Sequence, residues 1–479
     1  MMSPAGRLTR RQWLRGVGLV AGAAVAGSAL DACGQAASPT AAASAITLHF
    51  APNWQGAAWN ATALSLNQQW FDANYRVKGV RVQVHERVQG LATQQIAATI
   101  ANSGFMDVFQ DCCQNLVAWR DSGLLLPLDS YMQQDNVSPA LWSRRHMQVL
   151  NYGGQQLALP AYDGPCTVFY RQDILDGLGL SYPNPDWTVA EMQKAAAAAT
   201  GTSPQGQKRI GFYLLNNAWW GQINWLLAGW GASEMNADAT VALMDTPGAV
   251  QMASFLQDGV RGGYLSVGGG VTALAEGKSA FQMLGGWSLY PAATQLGSST
   301  KWDILPMPLF PAGRSTFDNI DFYAVNANTP HKEAAWELLR FVTAEPEYQR
   351  WQIKVTLIQP CLLSLWDEWE ADIKAAAPPL QQKQLGWIKD AAVGGYAWPN
   401  LFFKYNAAQV DNLLISFIDQ IWNGQLSPQL GMQELTQQIN ALQQSGAAAP
   451  PPAGFAALKR AYAAEQAGVT RMFQHAARH

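Results

Sequence analysis

The residues of this chain that could do chemistry are few, and most fail the spacing tests that chemistry imposes. Asp111, Asp163 and Asp321 are carboxylates that could supply an acid/base pair for glycoside hydrolysis. That reaction needs two of them a defined distance apart across one scissile bond, and sequence alone does not set the separation. Gly277-Lys278-Ser279 has the ending of a phosphate-binding loop, but Thr272 stands where its first glycine is required. There is no Gly-x-Ser-x-Gly elbow and no His-Glu-x-x-His. The six histidines show no metal-ligand spacing and no Cys-x-x-Cys pair is present, so neither a metal nor another cofactor is expected. The expectation is a protein that is not an enzyme.

What the chain has in surplus is indole, 20 Trp in 479 residues. Most of these are expected in cores or on helices. Tryptophan also stacks on sugar C–H faces and on cations, so the surplus favours a ligand with flat apolar faces. The net charge is −3, only 14% of residues are charged, and Lys and Arg do not cluster beyond the first residues. A nucleic-acid binder needs a concentrated basic face, and that class is excluded.

Residues 1–33 read as an export signal. Arg7, Arg10, Arg11 and Arg15 form a basic head with no acidic residue, and a weakly apolar run follows from Gly16 to Ala29. The Arg10-Arg11 pair resembles a twin-arginine signal, whose cargo crosses the membrane folded. Cys33 after Leu30 and Ala32 resembles the acylated cysteine of a bacterial lipobox, although Asp31 departs from the small or uncharged residue that pattern takes. An acyl anchor on Cys33 would hold the protein outside the cytoplasmic membrane with its body in water. Residues 34–45 are small and polar and read as a tether. No later stretch has transmembrane length.

The elements that must position a site follow an α/β order. Ile46–Phe50 and Val80–Val88 alternate as strands, Asn60–Ala73 carries apolar residues at helical spacing, and a helix over Leu91–Asn102 leads into a strand over Met106–Gln110. Strand–helix–strand repetition implies a largely parallel sheet whose ligands sit at the carboxyl ends of its strands. A second unit reads as strands at Thr167–Tyr170 and Ile210–Tyr213, with helices at Val189–Ala199 and Ala249–Arg261. Lys301–Pro308 reads as a strand, and helices follow at His331–Thr343 and Glu347–Ile353. Leu362–Gln444 is mostly helical, and the tail 447–479 joins a Pro-rich stretch to one more helix.

Several segments, in order, resemble the extracellular solute-binding proteins of the maltose and oligosaccharide type. They are Val117-to-Asp129, Gly153-to-Pro160 with Val168-to-Asp173, Pro185-to-Met192, Ala275-to-Met283 with Gly285-Gly286-Trp287, and Ala324-to-Phe341. The resemblance covers about Ile46 to Gln444. It implies the two-lobed periplasmic-binding-protein type II fold, α/β in both lobes, with 46–162 and 309–350 in the N-terminal lobe and 163–308 and 351–446 in the C-terminal lobe. It implies hinge closure on a sugar or oligosaccharide and delivery to the permease of an ABC importer by a monomer. The Cys112-Cys113 pair and the tail depart from the family pattern.

The resemblance also implies where ligand is met. Trp287 holds the place of a ligand-facing tryptophan. Asn53 and Trp54 end the first strand, and Asp111 and Gln114 follow the third, where Asp111 could equally cap a helix. Tyr162 and Asp163 follow the first crossing segment, with Asp163 alternatively a turn residue before Gly164-Pro165. Trp219 and Trp220 point in different directions, and Trp220 is preferred. Asn319 and Asp321 precede a returning strand, and Trp398 is either a further plate or core. No candidate is Arg or Lys, so a charged ligand such as glycerol phosphate is the weaker reading. Cys112 or Cys113 could bridge to Cys166 near such a cleft, the alternative being free thiols.

Overall fold

The structure is a computed structural model that describes residues 46–52, 57–86, 106–112, 115–203, 206–215 and 223–448. The strand β1 (Ile46–Ala51) buries Leu48 and Phe50 on alternate positions. Helix α1 (Ala57–Asn74) leads to β2 (Val80–Val84), and β3 is Val108–Cys112. Both strands pair parallel with β1, as the strand–helix alternation predicts. The third strand starts two residues later than expected, and Asp107 just before it accepts a hydrogen bond from the His49 N–H at 2.8 Å. Short helices α2 (Leu116–Asp121) and α3 (Arg144–Val149) follow.

The long strand β4 (Leu159–Arg171) decides the architecture. The turn chemistry of Gly164-Pro165 does not interrupt it. Helix α4 (Val189–Ala199) starts at a capping box, in which Thr188 Oγ1 accepts from the Glu191 N–H and the Glu191 carboxylate accepts from the Thr188 N–H. After it come β5 (Lys208–Leu214), α5 (Pro247–Arg261), β6 (Leu265–Val267), β7 (Ser279–Gly285) and β8 (Trp302–Leu305). The chain returns through β9 (Thr316–Val325), α6 (Lys332–Ala344) and α7 (Pro346–Thr356). It ends in β10 (Ala397–Trp398), α8 (Ala407–Trp422) and α9 (Pro428–Ala448).

The sheet runs β2-β1-β3-β9-β4-β7-β5, with β8 also on β4, β6 on β5 and β10 on β9. The first half of β4 pairs antiparallel with β9, and the second half with β7 and β8. One strand therefore carries the chain from one α/β group to another.

Two large apolar clusters flank this crossing. One gathers Leu48, Phe50 and Val108 with Trp336 and Leu339 of α6, and also Trp366, Trp369 and Ile388. The other gathers Phe212, Leu256 and Phe281 with Leu414, Ile418, Met432 and Leu435 of α8 and α9. Trp119, Trp142, Trp187, Trp302, Trp336, Trp366 and Trp369 are almost completely buried. Much of the indole surplus is thus core. Cys166 and Cys361 are free thiols, so the Cys112–Cys166 bridge is not formed, and Cys113 lies outside the described residues. No helix among the described residues is long and apolar enough to cross a membrane.

Candidate functional site

The β4/β9 ribbon is buried along almost its whole length and carries four of the candidates, Tyr162, Asp163, Asn319 and Asp321. Its register sets Asn319 opposite Gly164 and Asp321 opposite Tyr162, with Ile320 opposite Asp163 and Asp318 opposite Pro165. Residues directly opposite share a face and neighbours along a strand alternate. Tyr162, Gly164, Asn319 and Asp321 therefore occupy one face, and Asp163 and Asp318 the other.

On the first face, Asn319 Nδ2 donates to the Tyr162 hydroxyl at 2.5 Å, while Asn319 Oδ1 is buried without a partner. Trp287 is half-buried here, packed on the second core. Two glycines, Gly164 and Gly285, let it approach. A Cβ on Gly164 would stand 2.6 Å from the Asn319 carbonyl oxygen, 2.6 Å from the Tyr162 ring and 3.2 Å from the Trp287 ring. A Cβ on Gly285 would lie 2.0 Å from the same indole, and one on Gly286 would lie 1.9 Å from the Gln359 amide nitrogen. Gln359 is buried with neither amide atom hydrogen-bonded. Asp321 accepts from Gln110 Nε2 at 3.1 Å. This face offers one aromatic plate, a tyrosine and the unpaired amide oxygen of Asn319. Among the described residues named on it, none is a cation.

The other face holds a proton-bearing cluster. His146 Nε2 lies 2.5 Å from Asp318 Oδ2 and 3.7 Å from Asp163 Oδ1, all three side chains sealed from water. Asp318 Oδ1 accepts from the Gly164 N–H at 3.1 Å. Burial pushes the Asp163 carboxyl well above the usual carboxylate range, and Asp318 beside it adds to the rise. Burial alone would lower His146, but the two carboxylates outweigh it and hold the imidazole above its ordinary value. Asp163, expected to face ligand beside Tyr162, is thus a partner of His146 on the opposite face.

Two further candidates are committed elsewhere. Asp111 is fully buried: its carboxylate accepts from the Trp119 indole at 2.6 Å, from Asn115 Nδ2 at 2.9 Å and from the Cys112 N–H at 2.7 Å. These bonds tie β3 to α2. Trp398 sits on β10 beside Phe317 of β9, and the Arg145 guanidinium covers its ring at 3.3 Å from the centroid. Asn53, Trp54, Gln114 and Trp220 lie outside the described residues, as do Arg10, Arg11, Cys33 and the tail from 449. Sequence reasoning missed Gln359 and the His146–Asp318 pair. The Gly285-Gly286 doublet before Trp287 was the available signal for a close approach of backbone to ring.

An α/β sheet that passes between two cores through long crossing strands is the architecture of the two-lobed type II periplasmic binding proteins. Residues 78–349, more than half of the chain, match the family described as bacterial extracellular solute-binding protein, and the chain belongs to that family. Among solved structures, a cyclic alpha-maltosyl-1,6-maltose binding protein from Arthrobacter globiformis superposes with a TM-score of 0.67 at 17% identity, covering 84% of this chain and 100% of that one. UgpB from Mycobacterium tuberculosis, in complex with glycerophosphocholine, gives a TM-score of 0.66 at 14% identity over 83% of this chain and 98% of that one. A binding protein of Brucella abortus is 23% identical over 248 residues, 50% of this chain and 58% of that protein. The match thus spans little more than half of that relative.

Proposed function

We propose that the chain is a lipid-anchored capture protein that binds a sugar or oligosaccharide outside the cytoplasmic membrane and hands it to the permease of an ABC importer. The two lobes would hinge on β4 and β9, with Trp366 to Ile388 packed on the core of the N-terminal lobe instead of the C-terminal one read from the sequence. The observation that carries the reading is the Trp287 face. An indole plate rests on bare glycine backbone beside Tyr162 and Asn319, whose buried amide oxygen lacks a partner. A hydroxyl-rich guest with flat C–H faces satisfies both, because unpaired buried polar atoms are costly and sugar rings stack on indole.

The same face supports a neutral guest over a phosphorylated one, since none of its named residues is a cation. It also supports capture over hydrolysis. Of the three carboxylates available for an acid/base pair, only Asp321 is on this face, Asp163 is on the opposite one and Asp111 is tied to Trp119. The export signal and Cys33 support an anchored protein. Titrating tryptophan fluorescence with a panel of mono- and oligosaccharides tests the assignment. A saturable response with at least one sugar, lost in Trp287→Ala, is expected. No response and no thermal shift with any sugar defeats it.

A further inference from the structure

A cavity of about 1410 Å³ is lined by neither Tyr162, Trp287, Asn319 nor Gln359. Its walls are α2 and α3, the Asn151–Gly154 turn, the segment Ser233–Thr240 and the stretch from Trp398 to Lys404. It adjoins the charged face of the ribbon, because Arg145 in its wall is the neighbour of His146. We infer that this groove is a binding site for a compact oligoanion presenting phosphate or carboxylate oxygens, separate from the Trp287 face.

The charge balance is the first argument. The lining includes Arg120, Arg144, Arg145 and Lys404 against the single carboxylate of Asp238, in a chain whose overall charge is −3. Among the described residues, Arg120 pairs with Asp121, at 2.6 Å, and no carboxylate lies within ion-pair distance of Arg144, Arg145 or Lys404. Asp121 offsets Arg120 and the charge of Asp318 reaches Arg145, but the cations in the groove still outnumber its carboxylates, and an anion relieves the repulsion among them.

Geometry is the second argument. Arg145 lies over the Trp398 ring at 3.3 Å, and Arg120 over the Tyr152 ring at 4.0 Å. Stacking holds the Arg145 guanidinium by its flat face and leaves its N–H edge for planar, bidentate contacts to oxyanions, whereas Arg120 already donates to Asp121 and to the Lys404 carbonyl oxygen. The Tyr152 hydroxyl and Arg120 Nη2 both donate to the Lys404 carbonyl oxygen, at 3.3 and 3.4 Å, which fixes the Lys404 backbone beside Arg120. One fork ordered in advance on Trp398, with Arg144 and Lys404 in the same walls, suits a small ligand with several oxyanion groups.

Calorimetric titration of the full chain at low salt, with inorganic pyrophosphate in one arm and citrate in the other, tests this. Saturable binding of either probe is expected, weakening as salt rises. Arg145→Gln and, independently, Lys404→Gln should each weaken it roughly ten-fold, with unfolding temperature close to that of the parent. Pyrophosphate alone binding would identify a phosphate ligand, and citrate alone a polycarboxylate. No saturable heat with either probe at millimolar concentration, or equal affinity in both variants, overturns the site. Neither readout uses sugar, so the outcome is independent of the carbohydrate assignment.

Discussion

Replacing Gly164 by alanine is the sharpest test of how the Trp287 face is built. The new methyl carbon would stand 2.6 Å from the Asn319 carbonyl oxygen and 2.6 Å from the Tyr162 ring, with the Trp287 ring 3.2 Å away. Ordinary contacts at such atoms are near 3.5 Å, so the overlap with the carbonyl is about 1 Å. Tyr162 can swing aside. The carbonyl cannot, because it belongs to the strand paired with Gly164 in the β4/β9 register. Relief therefore requires the two crossing strands to part, and overpacking of this kind costs about 1–3 kcal/mol. Parting them also separates Tyr162 from Asn319 and lifts the indole. We expect the urea midpoint to fall by an amount equivalent to about 2 kcal/mol and sugar affinity to fall roughly ten-fold or more. Gly386→Ala is the control, since a Cβ there meets nothing within 4 Å and its φ is ordinary. It should leave affinity alone and raise stability by a few tenths of a kcal/mol, about the helix propensity gain. A Gly164→Ala protein with unchanged midpoint and unchanged sugar titration would refute the account of the crossing.

Three more expectations follow from the same observations. Trp287→Ala should weaken sugar binding by about 2 kcal/mol, roughly thirty-fold, while scarcely moving the unfolding temperature; a core role would reverse that pattern. Asp163 and His146 both hold protons in the folded chain more tightly than in the unfolded one. Their contribution is complete below the unfolded values near 4 and 6.5 and is lost as pH rises through the raised folded values. Asp163→Asn should therefore flatten the decline in unfolding temperature between pH 5 and pH 8, and an unchanged decline would contradict the cluster. Cys33→Ser should release the protein from the membrane fraction of its producing cell into the soluble one, and retention would remove the lipid anchor from the proposal.

What could be read from the sequence depended on whether the deciding interaction was local. Helix Val189–Ala199 was legible to the residue because its start is written in Thr188 and Glu191, three positions apart. Strand β4 was not. Gly164-Pro165 is turn chemistry by local rules, and only pairing with a strand more than 150 residues later keeps the backbone extended through it. Asp163 was misassigned to a face for a related reason. Alternation says that Tyr162 and Asp163 point oppositely, but which one meets ligand is fixed by register, and a slip of one residue exchanges them. His146 gave no signal, because its partner Asp318 is 172 positions away. Trp398 looked like a free plate, and the cation that covers it comes from a helix some 250 residues earlier in the chain.

The crossing strands also explain why a chain with so few charges spends several of them in its interior. A ribbon buried on both sides has two faces, and period-two alternation forces polar residues on one to alternate with those on the other. In β4 and β9 the neutral amide and phenol groups, Asn319 and Tyr162, fall on the Trp287 side, while His146 gathers Asp163 and Asp318 behind them. Asp321, the carboxylate left on the neutral side, is bonded to Gln110. A free carboxylate beside the plate would favour cations. One held by an amide, with its charged relatives sequestered behind the ribbon, leaves the plate to guests that offer hydroxyls and flat apolar faces. Selectivity for an uncharged ligand thus follows from strand parity: moving a second carboxylate to that face, as in Asn319→Asp, should abolish sugar binding, and the newly buried charge should lower stability as well. A variant that binds the same sugar with the same affinity would show that parity does not set the selectivity.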